Sequence, residues 1–180
     1  MSHHFDTAGS VPADAPVIDD VDTNTIGWLL PEIGRAFEAA TTALRQFRAG
    51  AAGVDRDNVD LAPLRVARTH LHQAHGALEL SEIAGVTRVT EAIEALLVVF
   101  EEDPSRCDGT AMDAVVGGCR STIEYLEDLQ TGSPQQPLFL FPSYRELLAV
   151  RGVDRIHPAD LFRANLGILA KDHRENIRDR

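Results

Sequence analysis

From residue 23 onward the chain alternates apolar and polar positions with the period of a helix. Ile26, Leu29, Leu30, Ile33, Phe37, Ala40, Leu44 and Phe47 recur at three- and four-residue steps, which places them on one face of a long helix. Asp22, Thr23 or Thr25 would cap its start. Pro31 falls inside the pattern, so the helix either begins there or follows a short helix across a kink. The Gly- and Asp-rich stretch from Arg48 to Asp60 reads as a loop, with Asp60 placed to cap a second helix whose stripe is Leu61, Leu64, Ala67, Leu71, Ala74 and Leu78. After a turn at Ser81 and Glu82, a third helix buries Ile83, Val86, Val89, Ile93, Leu96, Leu97 and Phe100 and stops before Pro104. A fourth starts near Asp108 or Thr110 and carries Met112, Val115, Val116, Cys119, Ile123, Leu126 and Leu129. Gly117 and Gly118 are its weak point, and Gly132, Ser133 and Pro134 end it.

Four amphipathic helices joined by short loops, with no period-two strand, predict an all-α fold, most economically an antiparallel four-helix bundle over residues 23–132. Residues 133–170 predict a helical extension: a Pro-punctuated connector, a short helix in PSYRELLAVRG and a turn in IHPADLF. Tyr144 and Phe162 would anchor it on the bundle. Residues 171–180 read as a mixed-charge, fraying tail. Residues 1–22 carry five aspartates and neither Lys nor Arg, the composition of a disordered acidic arm.

Charge narrows the partners. Acidic residues number 28 against 17 basic, of which sixteen are Arg, and the net charge of -11 argues against a nucleic-acid or anionic-membrane footprint. No GxGxxG or GxxxxGK[ST] string occurs, so any ATP used would be bound by another protein. No apolar run reaches the roughly 18 residues of a membrane span, and the opening residues lack a signal-peptide pattern. With two cysteines and no CxxC, a cytoplasmic setting is expected, and Cys119 reads as a small core residue.

The chemistry concentrates in RTHLHQAHGALEL on the second helix, where three of the seven histidines fall. His72 shares a stripe with Arg65, Arg68, Thr69, Gly76 and Glu79, away from the leucines, so its imidazole is expected at the surface. A neutral imidazole held by a hydrogen bond at one nitrogen offers a nucleophilic lone pair at the other. Arg68, one turn earlier, would meet phosphate oxygens. Gly76, one turn later, would clear space for a docking partner, and His75 would add partial positive charge. Glu94 on the third helix would orient the ring across the hairpin. The spacing of His70, His72 and His75 spreads them around the helix, so no metal is expected, and no cofactor is implied.

At His72, Gln73, Ala74, His75 and Gly76 the chain resembles the histidine phosphotransfer domains, whose motif reads HxxKG; His75 stands in place of the lysine. Such domains of the CheA type carry a glutamate on the next helix bonded to the phosphoacceptor ring, and Glu94, 22 residues after His72, matches it. A closer resemblance, over about residues 23–162, is to the N-terminal region of the CheA-like hybrid histidine kinases of type IV pilus chemosensory systems (ChpA or PilL type), shared with the scaffold FimL. The strings LHQAHGALEL, EAIEALL and LFPSYRELLAVRGVDRIHPADLF carry it. The resemblance implies a two-component signalling module, present here as an isolated first module, a stand-alone relative or a truncated product. His72 would relay phosphoryl groups between a histidine kinase core and a response-regulator receiver domain. The other reading is a scaffold that uses the same face to bind pilus-system partners without chemistry.

Overall fold

The computed structural model describes residues 23–54 and 58–162; the predicted acidic arm and C-terminal tail lie outside them. Among the described residues five α-helices follow one another: α1 Thr23–Ala51, α2 Ala62–Glu79, α3 Val86–Glu102, α4 Gly109–Gln130 and α5 Phe141–Arg151, with short 3-10 turns at Pro104–Arg106, Pro137–Leu140 and Pro158–Phe162. No strand occurs among the described residues, so the fold is all-α. No helix among them is long and apolar enough to cross a membrane.

α1 is one helix across Pro31, rather than a helix starting there or two joined pieces. The proline removes one backbone donor, a defect worth about 3 kcal/mol in an exposed helix. Ile26 and Ile33, 0% and 1% exposed on either side of it, hold the segment through tertiary burial. Thr25 lies within this helix, and Asp22 is outside the described residues.

α2 begins where the carboxylate of Asp60 accepts the Ala62 N–H at 2.9 Å, and it buries Leu64, Ala67, Leu71, Ala74 and Leu78. The α2–α3 turn passes through Glu82 at φ 54 and Gly85 at φ 86. Gly85 is needed twice over: its backbone is left-handed, and an added Cβ would lie 3.0 Å from Pro137 Cβ. Ile83, expected within the third helix, is buried in the turn before it.

Asp108 caps α4 by accepting the Ala111 N–H at 2.8 Å. At its other end Gly132, at φ +89, lets the Ser133 N–H reach the Asp128 carbonyl at 3.0 Å and the Gly132 N–H reach Leu129 at 3.0 Å, a Schellman closure. The same closure recurs at Gly152, where Val153 N–H bonds Leu148 at 2.9 Å and ends α5.

α1 packs on α2 and α4, α2 on α3, and α3 on α4. α5 seats on α3 and α4 through Tyr144, Leu147 and Leu148. Gly118 lets it approach, since an added Cβ there would lie 2.9 Å from Leu147 Cδ1. In the final turn Leu161 is buried, whereas Phe162, expected as an anchor, is 55% exposed. The two are adjacent in a 3-10 turn, and the turn points the smaller residue inward.

Candidate functional site

The antiparallel pairing of α2 with α3 sets polar side chains of one helix against those of the other. His72 is the centre: its Nδ1 lies 3.0 Å from Glu94 Oε1, with the imidazole 77% exposed and the carboxylate 22% exposed. A carboxylate only accepts, so the proton of the neutral ring belongs on Nδ1 and the lone pair on Nε2. The leucine stripe opposite explains the orientation: Leu71, Ala74 and Leu78 point into the core, which turns His72 outward.

One turn further along α2, His75 Nδ1 meets Thr90 Oγ1 at 2.7 Å. Thr90 is fully buried, and its hydroxyl also lies 3.0 Å from the Thr87 carbonyl and 3.2 Å from that of Val86. His75 is therefore a half-buried interhelix contact rather than a side chain reaching toward His72. His70 is half-buried and takes no part.

One turn before His72, Arg68 Nε lies 3.3 Å from Glu101 Oε1 on α3. The pair is close in charge and poor in alignment: Glu101 Oε1 is buried and accepts no hydrogen bond among the described residues. Arg68, Thr69, His72, Glu91, Glu94, Ala95 and Val98 line a shallow depression of about 610 Å³ along the α2–α3 seam. Glu91 on its wall pairs with Arg88 at 2.7 Å. Gly76 is half-buried with open space where a Cβ would stand, so that point of the surface is clear and nothing in the fold demands glycine there. Arg65 is exposed and does not line the depression.

Of the predicted site residues, then, His72, Glu94 and Arg68 come together, while His75 is turned to a structural partner. Glu101, Thr90 and Glu91 were not singled out in the sequence. Glu101 carries a weak signal, since it follows Glu94 by seven residues and so falls on the same face of α3.

The cysteines stand apart from this surface. Burial pushes the Cys119 thiol up to about 12. Burial likewise takes Cys107 up to about 11, opposed by the Arg48 cation and reinforced by Asp108. Neither offers a thiolate at neutral pH.

No family model matches the chain, and comparison with curated proteins and with solved structures gave no significant match.

Proposed function

We propose that His72 is a phosphoacceptor and that the chain is a histidine phosphotransfer-like module of a cytoplasmic two-component chemosensory system of the type IV pilus kind. The observation that carries this is the His72 Nδ1 to Glu94 Oε1 contact at 3.0 Å on an exposed ring. It fixes the tautomer that leaves Nε2 nucleophilic, and the carboxylate offsets the positive charge the ring acquires when Nε2 bonds phosphorus. The packing of α1 on α2 and α4, and of α3 on the same two helices, supports an antiparallel four-helix bundle as its frame. In the relay, Nε2 attacks the phosphorus of a phosphorylated kinase or receiver, the bond to the donor's histidine or aspartate breaks, and the phosphoryl group later passes on to an aspartate.

A second reading has its own observation. His75, at the position of the motif lysine, is tied to Thr90, so the local cation expected beside a phosphoryl group is not supplied there. This favours a scaffold in which the same α2–α3 face binds the kinase core, the receiver domain or pilus scaffold proteins without phosphoryl transfer.

Incubation with a phosphorylated receiver, or with kinase and labelled ATP, separates the two. The relay predicts acid-labile label that is absent from His72→Gln. Glu94→Gln should label about tenfold more slowly, the scale of one lost hydrogen bond to a charged group. No label on wild type, or equal label on His72→Gln, leaves the scaffold.

A further inference from the structure

The contact between Arg68 and Glu101 is an unusual one to find beside a candidate phosphoacceptor. Arg68 precedes His72 by four residues, so the two side chains are neighbours on the surface of α2, and both line the same depression. Its guanidinium meets Glu101 through Nε at 3.3 Å, and the side chain is 46% exposed. The two terminal nitrogens, the fork that suits phosphate, make no hydrogen bond among the described residues. On the other side, Glu101 is 19% exposed, and its Oε1 is buried without a hydrogen bond even with Arg68 beside it. Each partner thus holds the other incompletely.

We propose that Glu101 is a positioning residue that parks Arg68 beside His72, and that Arg68 leaves it for the phosphoryl oxygens once His72 is phosphorylated. The inference rests on the reading of His72 as a phosphoacceptor. A phosphoryl group brings about -1.5 to -2 charges and three acceptor oxygens, against the single charge of Glu101, and it can engage the guanidinium fork in two parallel hydrogen bonds. Departure breaks a charge contact with Glu101 but no hydrogen bond at its buried oxygen. Glu101 therefore sets how readily Arg68 is released, and with it the rate of capture and the lifetime of the phosphorylated state. Arg68 supplies the cation that His75, bonded to Thr90, does not.

Phosphoramidate tests this without a protein partner. Nε2 of His72 bonds phosphorus as the P–N bond of phosphoramidate breaks, ammonia leaves with its electron pair, and Nδ1 keeps its proton against Glu94. Wild type should acquire acid-labile phosphate that His72→Gln does not. Glu101→Gln should be phosphorylated about two- to fivefold faster, the scale of one part-exposed ion pair without a hydrogen bond. Arg68→Ala should be slower, with Arg68→Lys between it and wild type. In the double variant Arg68→Ala/Glu101→Gln the acceleration should vanish, a coupling that general loosening of the fold would not produce. Thermal melts check folding, and Glu101→Asp, which draws the carboxylate back from Arg68, gives the same direction should the glutamine variant be unstable. Glu101→Gln matching wild type, or an acceleration that survives in the Arg68→Ala background, overturns the parking role while leaving His72 a phosphoacceptor. An unlabelled wild type overturns both.

Discussion

Two neighbouring glycines in α4 should respond to alanine with opposite signs. At Gly117 an added Cβ would find nothing within 4 Å, so Gly117→Ala gains the helix preference of alanine, about 0.5–1 kcal/mol, with no steric cost. At Gly118 the same methyl would lie 2.9 Å from Leu147 Cδ1 and 3.1 Å from Ile93 Cδ1. Carbon atoms rest about 3.5–4.0 Å apart, so both side chains must retreat by roughly half an ångström. Both are 0% exposed and packed on every side, which leaves little room to yield. Overpacking of this kind costs about 1–3 kcal/mol, and after the helix preference is subtracted the net loss is about 1 kcal/mol. Thermal and urea unfolding of the two variants should thus diverge by about 1.5–2 kcal/mol, with melting temperatures several degrees apart. Equal stabilisation by both would refute the seating of α5 against Gly118 and the structural account of the C-terminal extension.

Two other outcomes follow from burial. The thiols of Cys107 and Cys119 are held up to about 11 and 12, above their value of 9.0 in an unfolded chain. Above pH 9 the unfolded chain therefore sheds protons that the folded one keeps, so the stability these groups contribute is intact below pH 9 and falls as pH rises toward 12; urea midpoints measured from pH 8 to 11 should decline, and less steeply in Cys119→Ala. In the last turn, Leu161→Ala should cost about 2–4 kcal/mol and Phe162→Ala within about 0.5 kcal/mol, since only Leu161 is buried; urea unfolding that ranks them the other way would reverse the anchor.

The leucine, valine and isoleucine stripes were readable because each repeats over several turns, and the positions chosen on α2 and α3 are the ones that close the core, apart from the half-buried Leu61. What escaped was packing carried by residues that do not register as apolar. Thr122, Tyr125 and Gly118 are all buried in α4. A hydroxyl satisfied by its own helix, as Thr122 is by the Gly118 carbonyl at 2.9 Å, and a glycine chosen for closeness leave no periodic mark. The exchange of Leu161 for Phe162 has a related cause: a single 3-10 turn is too short for any period to tell which of two adjacent apolar residues points inward.

The site was legible to the extent that hairpin geometry is. A helix running back along α2 from the Ser81 turn brings a residue about as far beyond the turn as His72 is before it, and Glu94 meets that condition. Arg68 had more than one candidate, because Glu94, Glu101 and Glu102 all follow on α3, and only the backbone path selects Glu101. The same register that delivers Glu94 to His72 also delivers Thr90 to His75, so the two contacts are not independent choices. A hairpin that orients the His72 ring in this way ties the next histidine to Thr90, and if His72 is a phosphoacceptor, as proposed, the charge for its phosphoryl group comes from the other direction along α2. On the proposed reading, the departure from the motif at His75 and the loosely held Arg68 are then two consequences of one helix pairing.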